Sequence, residues 1–516
     1  MIVEELASNL TNLEPLSWTC LILAVTFFLL SPPKLPLPVI NQKHPFDILG
    51  ILAQKRFICN AHDLIKIGLS KTSAFYLNSG NGLDIVLDPK YADEIRNNPA
   101  LSLGQSAAVD FHANIRGFEP FREGTANNEV FQDAMRMQLT KNQDLIVRPL
   151  SEETELALED LWTEDAAWHD LSLRSSILRL VARQSSRVFL GDKVCRNPDW
   201  LRISMNYTVD AFIAAYTLRL WPKFLRPFVA CLLPWCRKLP RELQEAREII
   251  TPVVEGRRAA KQEAIRQGKP PERYVDAMQW VEEAAKGRPY DPVFGQIAFS
   301  VATIHTTSDM LAQVLLDLCG RVELIEALRQ EIITVIEAEG WTKLALYKLK
   351  LMDSVLKESQ RLKPGRLIVM KRFVMEDVKL SDGTVLPKNS SIAVSCCRMW
   401  DPSIFPNAET FDAYRFLRMR ESSGQEALAQ AVSPSPEHLG FGLGRHVCPG
   451  RFHAINHLKI TLCHMLLKYD FKVAEGHTPT VRQYGVAMLA DPTAKISVRR
   501  RNQELPLSMT ASQQRV

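Results

Sequence analysis

Several structural signals are missing from this chain of 516 residues. None of its ten cysteines falls in a C-x-x-C pair, which argues against a zinc ribbon or a thioredoxin-like site. Cys20, Cys59, Cys195, Cys231, Cys236, Cys319, Cys396, Cys397, Cys448 and Cys463 are thinly spread, as expected of reduced thiols in a cytosol-facing protein. No run of five or more Lys/Arg occurs, and the formal net charge is only +5. That balance is too weak and too dispersed for a nucleic-acid partner. No internal repeat or low-complexity block is present, and the 46% hydrophobic and 23% charged composition is that of an ordinary globular core.

The N-terminus is where the composition departs from that average. Leu16 to Leu30 (LSWTCLILAVTFFLL) is apolar apart from Ser and Thr. As a helix it spans roughly 22 Å, short of the ~30 Å hydrocarbon core unless flanking residues help. A cleaved signal peptide, a buried core helix and a membrane anchor compete for it. The segment ahead carries Glu4, Glu5 and Glu14 but no Lys or Arg, so the positive region of a signal peptide is lacking. Positive charge follows at Lys34 and Lys43, which puts the N-terminus in the lumen. Pro32, Pro33, Pro36 and Pro38 make a stiff spacer. The expected organisation is a luminal tail and single transmembrane anchor over 1–31, a Pro-rich linker over 32–42, a catalytic domain over 43–505 and a frayed tail over 506–516. In a eukaryotic cell this is an endoplasmic reticulum membrane protein facing the cytosol, with Asn9 as a luminal glycosylation sequon.

Helices dominate the remainder, so the fold class is mainly α with a small β-rich subdomain. Ala74 to Leu77 and Leu83 to Leu87 flank N-S-G-N-G as a hairpin. Val378 to Leu386, with S-D-G-T, reads as another. Asp88-Pro89 and Asp291-Pro292 look like caps followed by a first-turn proline. The second pair opens a helix of about 28 residues ending near Gly320. It is apolar nearly all round, as a buried helix is, yet it carries His305, Thr306, Thr307, Ser308 and Asp309 at mid-length. Either the hydroxyls back-bond to carbonyls one turn earlier, or the helix opens locally over a polar site. Lys348 to Leu362 forms a further helix with Glu358 and Arg361 on one face.

Near the C-terminus stands F-G-L-G-R-H-V-C-P-G, Phe441 to Gly450. A metal-bound thiolate needs a lowered pKa, N–H donors on its sulfur and protection from bulk water. Gly442, Gly444 and Gly450 give the backbone the freedom to aim amides at Cys448. Pro449 suits the first position of a following helix, whose dipole favours an anion. Phe441 supplies an apolar lid. A plain glycine-rich turn with a buried cysteine is the alternative, and no G-K-[ST] follows to make it a phosphate loop.

This loop resembles the haem-binding loop of the cytochrome P-450 superfamily, F-G-x-G-x-[R/H]-x-C-x-G, with every fixed position filled. Companions follow the family's order. Glu358-x-x-Arg361 is similar to its E-x-x-R helix, and Phe411 to Phe416 (FDAYRF) to its F-x-x-x-R-F segment. Ala302 to Thr307 (ATIHTT) is similar to its oxygen-activation segment, and the anchor with its proline hinge resembles microsomal members. The resemblance implies the cytochrome P-450 fold and haem b. It makes Cys448 the axial iron ligand, whose donation favours O–O cleavage. His446, Arg372 and Arg136 become candidate haem-propionate contacts, Phe441 and Gly442 parts of the cofactor loop, and Thr306 the threonine that orders water for proton delivery. Arg415 completes a structural cluster with Glu358 and Arg361. Two departures stand out. His305 replaces the usual acid before the threonine, and it is either a proton relay or a packed core residue. No tryptophan precedes Arg136 where the family has W-x-x-x-R.

The resemblance also implies a small lipophilic substrate and electrons from an NADPH-dependent flavin reductase in the same membrane. Arg445, Arg451 and Lys459 are expected near the docking face for it. Phe299, Ala302, Thr303, Leu367 to Met370 and Tyr484 to Leu489 are candidate pocket walls. Leu220 to Trp235 is expected to dip into the membrane. The ATIHTTS variant is similar to fungal members of secondary metabolism, especially terpenoid and meroterpenoid pathways. Hydroxylation leads. Desaturation, rearrangement or coupling without net oxygen insertion, and a non-enzymatic haem sensor or scaffold, remain as alternatives.

Overall fold

The computed structural model describes residues 35–44, 47, 50–79, 82–125 and 130–502. The anchor expected at Leu16 to Leu30, the Asn9 sequon and the C-terminal tail lie outside these residues. Among the described residues no helix is long and apolar enough to cross a membrane.

The chain turns about one buried helix, Pro292–Leu318. It starts as its sequence dictates: the Asp291 carboxylate accepts from the Val293 and Phe294 amides at 2.8 and 3.2 Å, and Pro292 supplies a fixed φ where no N–H is needed. Just past its end Gly320 takes φ 79°. Val293, Ile297, Ile304, Leu311, Val314, Leu315 and Leu318 are all buried. Helices Leu173–Leu190, Pro198–Arg219, Pro234–Arg266, Lys350–Leu362 and Arg451–Lys468 pack around it.

The polar centre of this helix does not open it. Ser300, Thr306 and Ser308 each donate to the carbonyl four residues back, at 3.0, 2.8 and 2.6 Å. Back-bonding satisfies the hydroxyls at little cost, and the helix runs unbroken from 292 to 318.

Both expected hairpins form: Ala74–Asn78 pairs antiparallel with Leu83–Leu87, and Val378–Lys379 with Val385–Leu386. The main sheet continues as Leu83–Leu87, Ser391–Ser395, Ile368–Val374 and Leu101–Ser102, with a parallel pair between the first two. A bulge between Val369 and Arg372 shifts the register, and Met370 sits there at φ 52°. Bulges re-aim side chains; here Arg372 is turned inside. A second sheet joins Tyr469–Val473, Lys495–Arg500 and His169–Ser172.

Candidate functional site

The loop around Cys448 is built from backbone geometry. Gly442 and Gly444 adopt φ 70° and 75°, where a side chain is strained. A Cβ at Gly444 would also stand 2.4 Å from Arg96 Cβ. Gly450 differs from the expectation: its φ is −89°, and a Cβ there would meet Met135 Cε at an ordinary 3.8 Å. The Cys448 amide donates to the Phe441 carbonyl at 2.9 Å, which closes the loop. The following helix begins at Arg451 with Gly450 as its cap, so Pro449 lies ahead of it and is not its first residue.

Burial pushes the Cys448 thiol up; the Gly450 amide, the Arg451 charge and the Arg451 amide oppose that shift. Those two amides belong to the cap and first residue of the helix, so its first turn faces the sulfur. Arg451 also donates through Nη1 to the Cys448 carbonyl at 3.1 Å.

Arg136 comes to this loop from a distant segment. It sits in a π-helical turn, Ala134–Leu139, and its Nη2 donates to the Arg445 carbonyl at 3.0 Å. His446 ends the short 3-10 turn Gly444–His446, and Phe441 is half-buried beside it. Arg372 is only 4% exposed, yet its one hydrogen bond among the described residues runs to the Lys371 carbonyl at 2.8 Å. No carboxylate of the described residues pairs with it, and burial alone pulls its pKa down to about 10. A buried guanidinium without a counter-ion is costly, so this position fits an anionic group such as a haem propionate.

On the central helix Ala302 and Thr306 stand one turn apart and are exposed in mid-helix, on a helix otherwise enclosed. Thr306 Oγ1 lies 2.8 Å from the Ala302 carbonyl and 3.2 Å from that of Thr303. A thiolate position held by amides, an unpaired buried guanidinium and an open helix face carrying a hydroxyl together suit a haem.

His305 is tied to a neighbouring helix. Its Nε2 meets the Met205 carbonyl of the helix Pro198–Arg219 at 2.8 Å, and burial pulls its pKa down. A carbonyl only accepts, so this nitrogen carries the proton and spends it there. That bond favours the packed reading of the residue over the relay. Lys459 is a correction: it is buried, bonded to the Leu346 carbonyl at 2.8 Å and paired with Asp353 at 2.7 Å. It is not available to dock a partner.

Behind the site Glu358, Arg361 and Arg415 do assemble. Arg361 grips Glu358 through two 2.8 Å bonds, and Arg415 Nε adds contacts of 3.1 and 3.2 Å to the same carboxylate. Sequence reasoning missed two further ties. Asp309 pairs with Lys363 and accepts from the Ala490 amide at 2.8 Å, which binds the central helix to the hairpin Arg482–Leu489. Lys357 is buried and donates to the carbonyls of Leu428, Gln430 and Ser433 at 2.6, 2.8 and 2.7 Å. No local signal marks either tie, because the partners lie more than fifty residues away.

The family model for cytochrome P-450 matches residues 125–498. Cytochrome P-450 monooxygenase adrA of Penicillium rubens is 51% identical over 96% of this chain and 98% of its own length. Cytochrome P-450 monooxygenase trt6 of Aspergillus terreus is 49% identical over 89% of this chain and 94% of its own. The solved structure of a retinoic acid-bound cyanobacterial CYP120A1 shares the fold, with a TM-score of 0.64 over 90% of this chain and 99% of that one, at 16% identity. The family holds haem b through a cysteine thiolate, oxidises small molecules and draws its electrons from a redox partner. On the matched family model and the identity to these fungal enzymes, the chain belongs to the cytochrome P-450 monooxygenases.

Proposed function

We propose that this protein hydroxylates a lipophilic secondary-metabolite intermediate of terpenoid or meroterpenoid type, with Cys448 as the iron ligand. The observation that carries the reading is a cysteine held by helix-start amides, together with an exposed Thr306 on a central helix that is otherwise enclosed. When bound, the haem supplies dioxygen activation at its iron.

The protein's own groups do the rest. Arg372, and at the loop Arg136 and His446, would hold the propionates. The Thr306 hydroxyl, its own proton on the Ala302 carbonyl, would accept a hydrogen bond from a water and so order it for proton delivery. Phe299, Leu367 and Met370 are buried apolar residues; as pocket walls they would exclude water and favour an apolar substrate.

Leu16 to Leu30 anchors the chain in the endoplasmic reticulum membrane, with the catalytic unit in the cytosol. The stretch after helix Pro198–Arg219 supports a membrane-facing surface: Phe224, Phe228 and Leu232 are 75%, 73% and 76% exposed. Electrons come from an NADPH-dependent reductase that meets the exposed Arg445 side.

The test is to delete the gene, identify the intermediate that accumulates, and feed it to membranes containing the protein under ¹⁸O₂. A product gaining one labelled oxygen supports hydroxylation. Loss of two hydrogens without label moves the assignment to desaturation. Unchanged turnover by Cys448→Ala overturns the haem-thiolate reading itself.

A further inference from the structure

A cavity of ≈ 230 Å³ opens beside the first two turns of the central helix, away from the Cys448 loop. Its walls include Val254, Met278, Val281, Phe131 and Tyr290, with Gln296 of the central helix between them. Gln296 stands six residues before Ala302 and ten before Thr306, so it points roughly 120° and 80° round the helix from them, and neither residue lines the cavity. The two places are therefore separate.

Three observations define what the cavity takes. Gln296 is 2% exposed, yet its Oε1 has no hydrogen-bond partner among the described residues. A buried amide oxygen left bare calls for a donor. The charges at the rim are largely spent: Arg257 pairs with Asp276 at 2.6 Å, Arg258 with Glu282 at 2.8 Å and Arg273 with Glu283 at 3.2 Å. Tyr274 Oη donates to Glu272 at 2.7 Å, and the Tyr290 hydroxyl to Glu282. Lys261 remains, exposed at the mouth. A charged ligand would have to break these pairs, whereas an uncharged one would not.

The inner wall is rigid. A Cβ on Gly295 would stand 1.9 Å from Phe131 Cε1, so the Phe131 ring fills the notch that the glycine leaves. The same ring meets Phe299 edge-on at 5.7 Å and Tyr290 at 6.2 Å. Aromatic packing of this kind holds the wall in one shape. The volume is below the ~300–1,000 Å³ of drug-sized sites, which sets the ligand at fragment size.

We propose that this cavity is a second binding site, separate from the haem-side pocket, for an uncharged lipophilic alcohol whose hydroxyl donates to Gln296 Oε1. The probe is a diazirine analogue of geraniol. It is added to full-length holoenzyme in lipid nanodiscs, with the haem side saturated by an iron-ligating azole, and the photolabelled peptides are read by mass spectrometry.

The expected label falls within residues 254–296 and is competed by excess geraniol. It drops about tenfold in Gln296→Met, which keeps the volume but removes the acceptor. It also drops in Met278→Trp, which fills the space. Both variants are first checked for wild-type carbon monoxide spectra and melting. Label confined to residues 299–306 and 367–370, or label unchanged in both variants, overturns the site. The azole-blocked arm does not depend on turnover, so failure here is distinct from failure of the proposed hydroxylation.

Discussion

Arg361 meets Glu358 through two hydrogen bonds of 2.8 Å, with both side chains at 0% exposure. Arg361 Nη1 also reaches the Met399 and Ala408 carbonyls, each at 2.6 Å. One carboxylate therefore holds the helix Lys350–Leu362 to the chain near residues 399–415. Glu358→Gln keeps the shape but strips the charge facing two arginines. Breaking a buried pair from one side costs about 3–5 kcal/mol. The expected result is little or no protein with a thiolate-type carbon monoxide band and a lowered denaturant midpoint. Wild-type yield and midpoint would show that the cluster does not hold the fold.

Arg372 is the buried cation without an acid partner among the described residues. Arg372→Met removes the cost of burying it and also removes the group that fits a propionate. The apoprotein should lose no stability, while haem leaves about 10- to 100-fold faster, the worth of one or two charge-assisted bonds. Haem transfer to apomyoglobin measures the release rate. An unchanged rate would remove Arg372 from the cofactor site.

Thr306 and His305 are neighbours with opposite expected phenotypes. Thr306→Ala should keep haem content and melting but cut product formation at least about tenfold, the lower range for a lost proton-transfer group. His305→Gln can still donate to the Met205 carbonyl and should leave turnover and its solvent isotope effect within about twofold of wild type. A large loss in His305→Gln with haem intact would restore it as a relay.

His464 stacks on Trp341 with ring centroids 5.1 Å apart and meets Ser151 Oγ at 2.8 Å. Burial first, and the Lys468 charge second, push its pKa from 6.5 to about 3. The folded protein thus holds it neutral where the unfolded chain takes a proton. Its contribution is complete above about pH 6.5 and is lost as pH falls toward about 3. Stability should fall by about 1.4 kcal/mol per pH unit from this residue alone below its ordinary pKa. Urea melts of wild type and His464→Gln between about pH 6 and 4 should differ in slope by that amount, with the variant flatter. Parallel slopes would mean that the ring is already charged in the fold.

Much of the site was legible because it is local. Gly442 and Gly444 have the positive φ that the pattern demands, and the Cys448 amide closes the loop on the Phe441 carbonyl. Arg136 and Asn97, by contrast, tie Arg445 from distant segments that no local pattern shows. The caps at Asp291 and Asp88 are local again, since an N-cap is satisfied within three residues. Where the local reading stayed open or went astray, a neighbour from elsewhere weighed in. His305 reads from its place before Thr306 as a relay or a packed residue, and the carbonyl of Met205, a hundred residues earlier, favours the second. Lys459 looked like a surface charge because helices usually expose lysine, but Asp353 draws it inside.

The sequence by itself determined the helical class, the central helix and its cap, the hairpins and the cysteine loop. Each rests on periodicity, turn chemistry or capping, which act over a few residues. Packing between distant segments is what buries Arg372 with no acid of the described residues beside it, brings two arginines to the Glu358 carboxylate, and sets Gln296 against a cavity apart from Thr306. Those facts depend on which side chains distant segments bring together, and on the dielectric that packing creates around them.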